Sequence, residues 1–116
     1  MDDVLDFTGT SASLGKPALS DLQGGVITAP VLFALRTCES LSRLVSKGFA
    51  EEVDLQRAVE LVREAGGIER ARELAEGHAR EAERVLGRFP PTRDAHALAC
   101  REALKALTRR VLSRDK

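Results

Sequence analysis

The sequence predicts an all-α fold. Three observations carry that reading. Alanine, leucine, glutamate and arginine dominate the second half, and all four favour helix. Apolar residues recur there at spacings of three and four. No segment reads as a strand, and no internal repeat is visible. At 116 residues the chain has the size of one small domain.

The elements follow in order. Residues 2–7 read as the end of a helix. Residues 8–18, rich in glycine, serine and threonine, read as a loop that continues through Ser20-Asp21-Leu22-Gln23-Gly24-Gly25 with one helical turn. Thr28-Ala29-Pro30 starts the next helix, because threonine can cap and proline is tolerated in a first turn. Val31, Leu32, Leu35 and Cys38 keep helical spacing. That segment runs towards Lys47 and stops at Gly48, with a break near Arg36-Thr37 left open.

Three clearer helices follow. Val53 to Ala65 carries the stripe Leu55, Ala58, Val59 and Val62, and stops at Gly66-Gly67. Ile68 to Leu86 carries Ile68, Ala71, Ala75, His78, Ala82 and Val85, ending at Gly87 with Pro90-Pro91 beyond. The last helix has Asp94 as cap and Ala97, Cys100, Leu104, Leu107 and Val111 at near-heptad spacing. These stripes are rich in alanine, which buries little area, at roughly 25 cal/mol per Å². They suit close contact with larger partners, and the chain supplies few of those itself. Low stability in isolation is expected.

Composition excludes several function classes. Lys+Arg and Asp+Glu are 18 each, so there is no basic excess for nucleic acid or an acidic membrane. Four Phe with no Trp or Tyr give little material for stacking bases or sugars. No apolar run is long enough to span a bilayer. The acidic start is unlike a basic signal or transit segment. Cys38 and Cys100 match no metal or redox spacing, and the reading is two buried thiols in a reducing compartment. His78 in its apolar stripe reads as a packed core residue and His96 as exposed. The charged Ala/Glu/Arg runs read as solvated helix faces, and the C-terminal Arg109-Arg110 run as complementing a helix dipole.

Chemistry concentrates in the first 28 residues. Asp2-Asp3-Val4-Leu5-Asp6 packs three carboxylates into five residues. On a helix, Asp2 and Asp6 stand at i and i+4, and Asp3 and Asp6 at i and i+3, so all three share a face. Like charges there call for a hard divalent cation, and a site that leaves room for water and phosphate suits Mg²⁺. The plainer reading of the same residues is an acidic helix N-terminus complementing the macrodipole. Gly15-Lys16-Pro17 then presents a lysine that suits a diphosphate oxygen.

Asp2-Asp3-Val4-Leu5-Asp6, the short loop, Gly15-Lys16-Pro17, Ser20-Asp21-Leu22, Gly25 and Thr28-Ala29-Pro30 together resemble the second aspartate-rich region of trans-isoprenyl diphosphate synthases. The stretch from Asp6 to Lys16, with Gly25 to Pro30, most resembles plant long-chain enzymes of the solanesyl type. Ile68 to Ala75 and Arg110 to Lys116 are similar as well. A lone Asp-Asp-x-x-Asp is weak evidence; followed by Gly-Lys-Pro and Asp-Leu at this distance it is strong.

The resemblance implies the C-terminal part of the isoprenoid synthase helical fold, incomplete, with residues 1–116 running from the second aspartate-rich motif onward. It implies a prenyltransferase that ionises an allylic diphosphate with Mg²⁺ and couples it to isopentenyl diphosphate, making a long polyprenyl diphosphate for quinone synthesis. Asp2, Asp3 and Asp6 would take the metal, with Asp2 the most direct ligand. Asp2, Asp3 and Lys16 would be catalytic, and Lys16 would bind the allylic diphosphate. Asp21 would be a loop or helix-cap residue. A homodimer or heteromer is implied, in the mitochondrion or alternatively the plastid; that no nucleic acid is a partner rests on the charge balance.

The first aspartate-rich motif, the Phe-Gln pair before the second and the upstream basic residues of the family are not in this sequence. The expectation is therefore that Met1 lies within what is a continuous helix in the family, and that the piece alone is inactive. The alternative is a non-catalytic helical partner of a full-length synthase.

Overall fold

The computed structural model describes residues 1–8, 16–49 and 51–113, with the side chains of residues 16–19 not described. Among the described residues every regular element is helical: α1 (Asp2–Thr8), α2 (Lys16–Gln23), α3 (Ala29–Leu35), α4 (Glu39–Lys47), α5 (Glu52–Glu64), α6 (Gly67–Leu86) and α7 (Ala95–Leu112). The all-α expectation holds. The chain divides into two compact units, Met1–Arg72 and Glu73–Asp115.

The first unit is built around α5, which packs against α2, α3 and α4, while α1 packs against α2 and α3. The reason is the expected stripe: Leu55, Ala58, Val59 and Val62 are all buried, joined by Leu61. Val4 and Phe7 of α1, Leu22 of α2, Val31 and Ala34 of α3, Leu41 of α4, and Ile68 and Ala71 of α6 complete one continuous core. Each large side chain fully buried there contributes about 1.5–3 kcal/mol. No buried side-chain nitrogen or oxygen among the described residues lacks a hydrogen bond.

The open break near Arg36-Thr37 is real. The N–H groups of Thr37 and Cys38 both turn back to the Ala34 carbonyl, at 3.1 and 2.9 Å, ending α3. Cys38, in extended backbone, then stands at the N-cap of α4. Thr28 occupies the N-cap position of α3, but its side chain makes no capping bond. Gly48 ends α4 as expected, with φ of 78°, a left-handed conformation that glycine adopts without strain.

Two boundaries differ from expectation. The segment read as a loop to residue 18 and beyond is helical from Lys16, because Pro17 fits a first turn and Leu22 anchors the helix in the core. Gly67, read as part of a stop signal, is instead the first residue of α6 and is buried.

The second unit has little interior. α7 contains no buried residue at all, and the buried residues of α6 are Gly67, Ile68 and Ala71, all in its first turns. The near-heptad residues Leu104 and Leu107 are 48% and 57% exposed. His78 and Cys100 are also exposed, against the expectation of burial. The physical reason is the one that composition raised: alanine-rich stripes find no large partner here. Exposed polar contacts link its elements. Arg109 Nε donates to Glu83 at 2.8 Å, and the Arg101 guanidinium lies 5.6 Å over the Phe89 ring while bonding the Pro90 carbonyl. Cys38 is half-buried, and both cysteines are free.

Candidate metal and diphosphate site

α1 begins where the Met1 carbonyl accepts from Val4 N and Leu5 N, at 2.9 and 3.0 Å. The helix is two-faced. Val4, Leu5 and Phe7 turn into the core; Asp2 and Asp3 are exposed and Asp6 is half-buried. Burial of one face thus forces the three carboxylates to the other. Asp2 and Asp3 lie in the first turn, where the helix dipole favours negative charge.

The far end of α1 is fixed by a residue that sequence reasoning missed. Arg63, in the last turn of α5, donates from Nη2 to the Phe7 carbonyl at 2.9 Å. That carbonyl belongs to the last turn of α1, whose oxygens lack intrahelical donors. A cation there also complements the negative end of the dipole. The two residues are 56 apart in sequence, and no local pattern pairs them.

Lys16 is the first residue of α2 rather than a mid-loop residue, and α2 packs against α1. Gly15, with the rest of 9–15, lies outside the described residues. Asp21 is neither loop nor cap: it is half-buried in the last turn of α2, and its carbonyl accepts from Val26 N at 2.8 Å. The turn at Gly24-Gly25 closes with Gly24 N donating to Ser20 O at 2.9 Å, and Gly25 takes φ of 77°.

The donor chemistry of the α1 face fits a hard cation. It offers only carboxylate oxygens, with two of its three residues open to solvent. Among the described residues no group of three or more His, Cys, Asp or Glu comes together around a metal position. Asp2, Asp3 and Asp6 thus share a helix face without converging on a metal position.

Comparison with known proteins bears on the family of the chain. The family model described as "Polyprenyl synthetase" matches residues 1–62. Over all 116 residues the chain is 42% identical to solanesyl-diphosphate synthase 1, mitochondrial, of Oryza sativa subsp. japonica, covering 27% of that protein. It is 46% identical, again over its full length, to solanesyl diphosphate synthase 3, chloroplastic/mitochondrial, of Arabidopsis thaliana, covering 28%. The structure of an apo medium/long-chain length prenyl pyrophosphate synthase from Arabidopsis superposes with a TM-score of 0.88 at 46% identity. That match covers 99% of this chain and 38% of the other. The chain thus spans little more than a quarter of the length of these curated relatives. With the family match over more than half its residues and an all-helical fold that superposes on a solved synthase, the chain belongs to the polyprenyl synthetase family.

Proposed function

We propose that the chain carries one half of the Mg²⁺–diphosphate site of a trans-prenyltransferase. The whole enzyme condenses isopentenyl diphosphate onto an allylic diphosphate and makes a long, solanesyl-type polyprenyl diphosphate for ubiquinone synthesis in the mitochondrion. The observation that carries the reading is the family match over residues 1–62, which contains Asp2, Asp3, Asp6 and Lys16, together with the two-faced helix α1 that exposes Asp2 and Asp3. The solanesyl relatives support the product class, and both mitochondrial and chloroplastic names occur among them.

In this reading Asp2, Asp3 and Asp6 hold Mg²⁺. Bound there, the ion supplies positive charge that stabilises a departing pyrophosphate. The chain's own residues do the rest. Val4, Leu5 and Phe7 anchor the helix so that the carboxylates face outward, and Arg63 holds its far end. Lys16 adds a point charge for a further diphosphate oxygen. One carboxylate face cannot clamp a diphosphate from both sides, so the 116-residue chain alone is inactive. A prenyl-transfer assay with Mg²⁺, allylic diphosphate and isopentenyl diphosphate tests this; turnover by the purified chain would overturn the half-site reading.

A second reading, a non-catalytic helical partner of a full-length synthase, is favoured by the exposed Leu98, Leu104, Leu107 and Val111 of α7. Co-purification with a full-length synthase, lost on Leu104→Glu with Leu107→Glu, would support it. Absence of any complex would remove it.

A further inference from the structure

His96 and Cys100 stand one turn apart on α7, on one face, and both are exposed. Cys100 Sγ lies 3.7 Å from His96 Nε2, and the thiol is free of any disulfide. A tetrahedral ion bound to a thiolate at about 2.3 Å and an imidazole at about 2.0 Å separates those two donors by about 3.5 Å. The observed spacing is already close to that bite. We propose that His96 and Cys100 form a two-point chelate for a soft divalent cation of the zinc class, distinct from the carboxylate face of α1.

The surroundings support this. Asp94 accepts from the His96 backbone N–H at 2.9 Å, which fixes the first turn of α7 and so the position of His96. The nearby guanidinium of Arg101 is engaged by the Phe89 ring and the Pro90 carbonyl. Among the described residues no third His, Cys, Asp or Glu joins the pair, so the chain itself offers two donors. Thiolate and imidazole favour zinc over magnesium. On binding, the Cys100 S–H bond breaks, an S–metal bond forms, and the proton leaves to solvent.

The chain holds two histidines and two cysteines, so His78 and Cys38 are internal controls. Titration of the intact chain with Zn²⁺ alone, against a competing indicator, is expected to show one equivalent bound. His96→Ala and Cys100→Ser should each weaken it about tenfold or more, as loss of groups supporting a metal commonly does. His78→Ala and Cys38→Ser should leave it unchanged. Co²⁺ should give a thiolate charge-transfer band that Cys100→Ser removes, and Zn²⁺ should slow alkylation of Cys100. No stoichiometric binding, unchanged affinity in either ligand variant, or equal loss in the control variants would overturn the proposal.

Discussion

Gly67 abuts the backbone carbonyl of Pro30, so closely that a methyl group on Gly67 would overlap it. The same methyl would press on the Val62 carbonyl at 3.1 Å and the Ala34 side chain at 3.2 Å. Helix propensity alone favours alanine over glycine by about 1 kcal/mol. Overpacking costs about 1–3 kcal/mol, and two of the three obstacles are backbone that cannot rotate away. Packing wins. Gly67→Ala should lower the melting temperature, whereas Gly77→Ala, with nothing within 4 Å of the new atom, should raise it. Thermal unfolding of the two variants side by side checks the sign of each.

Arg63 supplies the charged hydrogen bond to Phe7, and such bonds contribute about 1.5–3 kcal/mol. Arg63→Met keeps most of the aliphatic stem and removes the donor. Its unfolding free energy from urea denaturation should fall by an amount in that range, and amide protection in α1 should drop more than in α4. Equal loss of protection in both helices would contradict a local tether.

Asp94 caps α7 through its bond from His96 N. Asp94→Ala should destabilise α7 by about 1 kcal/mol, and Asp94→Asn by much less. Because α7 buries nothing, local capping weighs heavily there. Circular dichroism should show reduced helix content in the alanine variant.

Hydrogen bonds from Arg84 and Lys105 hold the carboxyls of Glu81 and Glu102 below the usual carboxylate range. A depressed folded-state value means the stabilisation is present above the ordinary glutamate range and is lost as pH falls through the lowered value. Both pairs are exposed, so the effect is small and screened by salt. Helix content should decline on acidification through the carboxylate range. Glu81→Gln with Glu102→Gln should flatten part of that decline, and added salt at neutral pH should mimic it.

Much of the fold was readable in advance because local rules and burial agree in the first unit. The α5 stripe is buried where its periodicity placed it, and α4 stops at Gly48 as read, through a left-handed turn. The sequence misled where periodicity stood without a partner. His78, Leu104 and Leu107 keep helical spacing yet are exposed, since a stripe reveals an apolar face but not what covers it. The α2 start was hidden because small residues running into Gly-Lys-Pro read as a loop, although proline suits a first helical turn. The aspartate face was legible from spacing; its Arg63 tether was not, since a side chain meeting a helix-end carbonyl 56 residues away leaves no local signal.

We propose that Asp2, Asp3 and Asp6 form one half of a divided Mg²⁺–diphosphate site. Joining this chain to the upstream portion of the Arabidopsis synthase on which it superposes tests that most directly. The measurement is Mg²⁺-dependent incorporation of isopentenyl diphosphate into longer prenyl products. The chimera is expected to turn over, with kcat falling about 100-fold or more on Asp2→Asn, equivalent to some 2.7 kcal/mol of lost transition-state stabilisation. A folded chimera that is inactive, or one whose rate and Mg²⁺ requirement are unmoved by Asp2→Asn with Asp3→Asn, would contradict it.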